Sequence, residues 1–93
     1  MVYGRKIIQG GSSAVTTNNG SASAGYEGST TTDLPISFPT KSLLAVGAPR
    51  DVNGWNLNET MVIGFLTETK INIFIQCKLA NVESIGYWVA FGY

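Results

Sequence analysis

The chain has 93 residues, with six basic and six acidic side chains for a formal net charge of zero, one cysteine and no histidine. That length holds one domain with a modest core. The scattered, balanced charge lacks the basic face that nucleic-acid backbones require, and no apolar run is long enough for a membrane helix or a secretory signal. Cys77 alone makes no internal disulfide, and without histidine neither a Cys/His zinc site nor the usual general base is available. A carboxylate pair can still cleave a glycosidic bond. Glu27, Asp33, Asp51, Glu59, Glu68 and Glu83 form no recognisable motif for it, however, and the chain reads as a non-enzyme that needs no cofactor.

In chain order, Lys6-Ile7-Ile8-Gln9 predicts a first short strand. Residues 10–32 follow, in which 17 of 23 are Gly, Ser, Thr or Asn. So little apolar surface predicts turns and loop around at most one short strand, with Asn18-Asn19-Gly20 as the clearest turn because Asn and Gly tolerate positive φ. Leu34, Ile36 and Phe38 then alternate with Pro35, Ser37 and Pro39, which predicts an edge strand. Leu44, Val46 and Ala48 alternate with Leu43, Ala45 and Gly47 until Pro49 breaks the run. Residues 50–58, with Asn53-Gly54, read as a loop.

Residues 61–66 are apolar at both parities. Residues 71–79 are the clearest strand: Ile71, Ile73, Ile75, Cys77 and Leu79 share one face, and Asn72, Phe74, Gln76 and Lys78 the other. In the last run Ile85, Tyr87, Val89, Phe91 and Tyr93 lie on one face, with Gly86, Trp88, Ala90 and Gly92 on the other. Nothing keeps a helical spacing over two turns. About six short strands with frequent turns predict an all-β, antiparallel β-sandwich, its last strand anchored in a sheet.

Three pieces of this sequence resemble a known family. Arg5-Lys6-Ile7-Ile8-Gln9-Gly10 is similar to the "IIQWG" opening of the C-terminal receptor-binding tip domain of bacteriophage tail fibres, with Gly10 in place of the usual tryptophan. Leu34-Pro35-Ile36-Ser37-Phe38-Pro39 resembles its "FPIAFP" element, and Tyr87-Trp88-Val89-Ala90-Phe91-Gly92-Tyr93 its closing "YWIAIGY". The resemblance spans nearly the whole chain, residues 1–93 as one tip domain. It implies a homotrimer with a fold like H-type lectins, carried on a fibre shaft upstream. It also implies a virion protein, made in the bacterial cytoplasm and acting outside the cell, that binds a host surface glycan such as lipopolysaccharide or an outer-membrane receptor. A purely structural module that trimerises or caps the fibre is the alternative.

Sugar recognition needs flat aromatic faces and a few fixed polar groups. Arg50, Asp51, Asn53, Trp55 and Asn56 supply both within one loop. Trp55 either stacks on a pyranose ring or folds back over a core edge, and Arg50 suits phosphate as well as hydroxyl groups. Asn18, Asn19 and Tyr26, with Glu27, form the second candidate. Trp88 is expected in the core or an interface and Cys77 in the core. Asp33, Asp51 and Glu59 lack the spacing of a calcium loop and read as surface charge.

Overall fold

The computed structural model describes residues 5–50 and 58–93. Their strands are β1 (Ile7–Thr16), β2 (Asn19–Ser21), β3 (Gly25–Asp33), β4 (Ser42–Arg50), β5 (Thr60–Leu66), β6 (Lys70–Cys77) and β7 (Glu83–Gly92). All pairings are antiparallel, in a three-stranded sheet β1-β7-β4 and a four-stranded sheet β2-β3-β6-β5. The sheets meet where β1 runs against β3 and β4 against β5. The expected antiparallel sandwich is what these residues form.

The core is built from unequal halves. β6 contributes Ile71, Ile73 and Ile75, each fully buried, and Cys77 beside them. Burying each isoleucine stabilises the fold by roughly 1.5–3 kcal/mol. β7 meets them with small residues around a single large one, since Ser84, Gly86, Ala90 and Gly92 flank Trp88 on its inner face. A Cβ on Gly86 would lie 2.7 Å from Ile73 Cδ1, and one on Gly92 2.6 Å from Phe38 Cδ1, so the glycines are the sockets for those side chains. Trp88 Nε1–H donates to Ser13 Oγ at 3.1 Å, which satisfies the one polar group the indole buries. The aromatic face of β7 therefore turns outward.

The last strand is anchored on both sides. β7 is the middle strand of its sheet, paired with β1 from Ile7↔Gly92 to Thr16↔Glu83 and with β4 from Ser42↔Gly92 to Arg50↔Ile85. Beyond it, Tyr93 N–H donates to Lys41 O at 2.9 Å, and Tyr93 O accepts from the Thr40 and Lys41 amides at 2.8 and 2.7 Å.

Several elements differ from the sequence reading. Residues 10–32 carry the rest of β1, all of β2 and nearly all of β3. Their pairing partners β7 and β6 supply the apolar surface, and inward hydroxyls bond one another, as Ser13 Oγ and Thr32 Oγ1 do at 2.7 Å. Residues 34–39 form no strand: Leu34 and Phe38 are buried while Ile36 is 56 % exposed, so the period of two fails at its centre. Two prolines without N–H groups deny this stretch a ladder. The Gln9 amide stands in for a strand partner, its Nε2 donating to Ile36 O at 2.6 Å and its Oε1 accepting from Ile36 N–H at 2.8 Å.

β4 runs through Pro49 to Arg50 instead of breaking there, which an edge strand with one neighbour allows. β6 ends at Cys77, and Leu79 is exposed. In β5 a register shift between Ile63 and Phe65 keeps Met61, Ile63 and Leu66 inward and turns Val62 and Phe65 out.

Candidate functional site

The first cross-connection shapes a cleft at the end of the sandwich away from Ile7. Thr17, fully buried, fixes the chain as it leaves β1. Its hydroxyl donates to Leu79 O at 2.9 Å and accepts from Val82 N–H at 3.2 Å, while its main-chain N–H and C=O bond Val82 and Asn81. Below it the two sheets pinch together, since a Cβ on Gly28 would sit 1.9 Å from Thr16 O. The hairpin β2–β3 turns back with Gly20 and Gly25 at φ 125° and 93°, conformations that side chains other than glycine strain to reach. These constraints hold Asn18 and Asn19 over β3.

Asn18, Asn19, Glu27, Gly28, Ser29 and Phe74 line the resulting cleft, about 170 Å³ in volume, about ten times what one water requires. Phe74 projects from the outer face of β6 beside Ser29, its pairing partner, with its ring packed over Gly64, where a Cβ would come within 2.6 Å of Cε2. Glu27 is half-buried and is the one charged residue of the lining. Elsewhere on the same face, polar groups are already engaged. Lys70 pairs with Asp33, and Asn72 donates to Thr30 O and Thr31 Oγ1. Among the described residues, no hydrogen bond or ion pair uses the side chains of Asn18, Asn19, Glu27 or Ser29. Their capacity is directed into the cleft.

The outer face of the other sheet is different in kind. Ile8, Phe91 and Leu44 form one row across it, and Gly10, Val89 and Val46 the next. Ile8 is 69 % exposed and Val46 55 %. Two apolar hollows follow this face, one between Ile8, Leu44 and Phe91 and one between Val46, Tyr87 and Val89. Gly10 lies on this outer face, so its departure from the family's tryptophan leaves the inner packing untouched.

Of the residues expected to bind a receptor, Asn18 and Asn19 come together in the cleft with Glu27. Tyr26 is half-buried on β3, paired with Cys77 and Gly20, and does not line it. Arg50 ends β4 opposite Ile85 on the other sheet, so it does not share a site with the asparagines. Asp51, Asn53, Trp55 and Asn56 lie outside the described residues. The sequence reading passed over Gly28, Ser29 and Phe74 as site residues. An aromatic at a polar-face position of a clean strand was the available signal for Phe74.

Solved pyocin tail fibres share this fold. The chain superposes on an N-truncated R1-type pyocin tail fibre with a TM-score of 0.63 and 19 % identity, over 95 % of this chain and 70 % of that one. It matches a C-terminal fragment of the P. aeruginosa R1 pyocin fibre with the same TM-score of 0.63, at 18 % identity over 95 % of this chain and 23 % of that longer one. No curated protein matches the sequence. Residues 6–93 match the family model Gp53-like_C, "Putative tail fiber protein gp53-like, C-terminal". The chain belongs to that family of tail-fibre C-terminal domains.

Proposed function

We propose that this domain is the distal tip of a tail fibre, which recognises a host bacterial surface receptor, a lipopolysaccharide sugar or another surface glycan, without catalysis. One observation carries the reading: the cleft with unengaged polar side chains lies at the end of the sandwich opposite Ile7, where β1 begins. A shaft joined upstream of β1 leaves that end facing away from the virion. Tail-fibre membership supports the setting.

The same reading makes the tip a homotrimer. Contiguous apolar surface on a soluble domain marks an interaction site, and the outer face of β1-β7-β4 offers Ile8, Leu44, Val46, Val89 and Phe91 in adjacent rows. Three copies closing on this face bury it and present three clefts together. Weak single-site affinity is then raised through effective concentration.

Two measurements test it. Sedimentation of the purified domain is expected to give a trimer, and a monomer at micromolar concentration overturns the assembly. Adsorption to cells with complete lipopolysaccharide is expected to exceed adsorption to cells lacking the outer core. Equal adsorption to both overturns the glycan, and adsorption to no host strain overturns the receptor role.

A further inference from the structure

We infer that the cleft between Asn18-Asn19 and Phe74 takes a single uncharged, hydroxyl-rich pyranose ring and discriminates against phosphorylated or carboxylated sugars. This rests on the glycan-recognition reading above and names the ligand class at one site.

The geometry supplies both halves of a sugar site. Phe74 gives an aromatic surface, 36 % exposed, for the apolar C–H face of a ring. Gly64 leaves room for the ring, since a Cβ there would strike both Asn72 Oδ1 and Phe74 Cε2. Around it, Glu27 offers a carboxylate that accepts two hydrogen bonds, suited to a pair of neighbouring hydroxyls, while the Asn18 and Asn19 amides both donate and accept. Among the described residues, none of these side chains is engaged by another. Thr17 and Gly28 fix the backbone that carries the asparagines, which lowers the ordering cost of binding.

Charge decides the class. The lining holds one carboxylate and no cation. Lys70 is engaged by Asp33, and Lys78, beyond the end of β6, does not line the cleft. Arg50, the residue suited to phosphate, stands on the other sheet opposite Ile85. An anionic sugar would therefore meet a like charge with no compensating cation, which disfavours it by electrostatic repulsion.

The test is an NMR titration of the intact domain with methyl glucoside, methyl galactoside and N-acetylglucosamine, and in parallel with glucuronate and glucose 1-phosphate. The neutral sugars are expected to shift the amides of Asn18, Asn19, Glu27, Ser29 and Phe74, with the anionic ones at least about tenfold weaker. Glu27→Gln and Phe74→Ala are each expected to weaken the neutral sugars about tenfold or more with the remaining spectrum unchanged. Gly64→Ala is expected to do the same, by displacing the Phe74 ring and the Asn72 amide beside it. Anionic sugars binding as tightly, shifts confined to the β1-β7-β4 face, or no binding by any of the five compounds overturns the inference. Cell adsorption separates the two levels. Adsorption undiminished by Phe74→Ala and Glu27→Gln removes the cleft and leaves the receptor role standing. Cleft-specific sugar binding with no adsorption to any cell does the reverse.

Discussion

Gln9 is the residue whose removal most directly tests how the proline-rich segment is held. Its amide makes two main-chain hydrogen bonds to Ile36, at 2.6 and 2.8 Å, from a side chain only 8 % exposed. Gln9→Met keeps the length and apolar stem and removes both bonds. Each net bond is worth about 0.5–1.5 kcal/mol, so the substitution is expected to cost about 1–3 kcal/mol. For a domain of this size that lowers Tm by roughly 5–20 °C. Gln9→Glu adds a sign test. The carboxylate cannot donate to Ile36 O, whereas the protonated acid can both donate and accept as the amide does. The fold therefore favours the protonated form and raises the folded-state pKa of this introduced carboxyl. Its deficit relative to the parent is smallest below the unfolded carboxyl range, about pH 4.3, and grows as pH rises through the folded value. Thermal unfolding by circular dichroism, at one protein concentration because an oligomer's melt depends on it, reads both. A Gln9→Met melt within about 2 °C of the parent, or a Gln9→Glu deficit that does not change with pH, refutes the assignment of Gln9 as the partner of Ile36.

Three further perturbations probe core, cleft and assembly. Ile73→Ala is expected to cost about 2–5 kcal/mol in denaturant unfolding, toward the upper end because its neighbour Gly86 has no side chain with which to fill the void. Thr17→Val leaves Leu79 O and Val82 N–H without their hydroxyl partner, at a cost of about 1–3 kcal/mol, with faster amide exchange at residues 79–82 as the readout. Val46→Glu combined with Val89→Glu places two like charges directly opposite each other on the apolar face. It is expected to yield a folded monomer by sedimentation, and a trimer that persists moves the interface elsewhere.

Regular alternation made much of the fold legible. Ile71, Ile73, Ile75 and Cys77 keep one parity without interruption, and each is buried; the all-strand class followed from such runs. Alternation failed where something other than apolar burial made the strand. β1 and β3 consist largely of Gly, Ser and Thr, and they exist because β7 and β6 offer them partners far away in sequence, as Thr32↔Ile71 and Ser13↔Gly86 show. It also misled at Leu34-Pro35-Ile36, where the partner is a side-chain amide that no periodicity reveals. Within the candidate site, Asn18-Asn19-Gly20 read as a turn, but Asn19 and Gly20 open β2 and the hairpin turns at residues 22–24. That Asn19 would overhang Phe74, 55 residues further on, depends on the β3–β6 register, Ser29↔Phe74, which local pattern does not encode.

The position of β7 also governs when the domain can form during synthesis. A chain emerging from the ribosome exposes β1 and β4 long before residues 83–92, yet among the described strands both have only β7 as hydrogen-bonding neighbour. Neither can complete its sheet until that segment clears the exit tunnel, and pairing Ile7 with Gly92 closes nearly the full length of the domain in one step. Folding of the three-stranded sheet thus waits for β7. Loss of β7 removes the middle of the three-stranded sheet and leaves β1 and β4 without their shared neighbour.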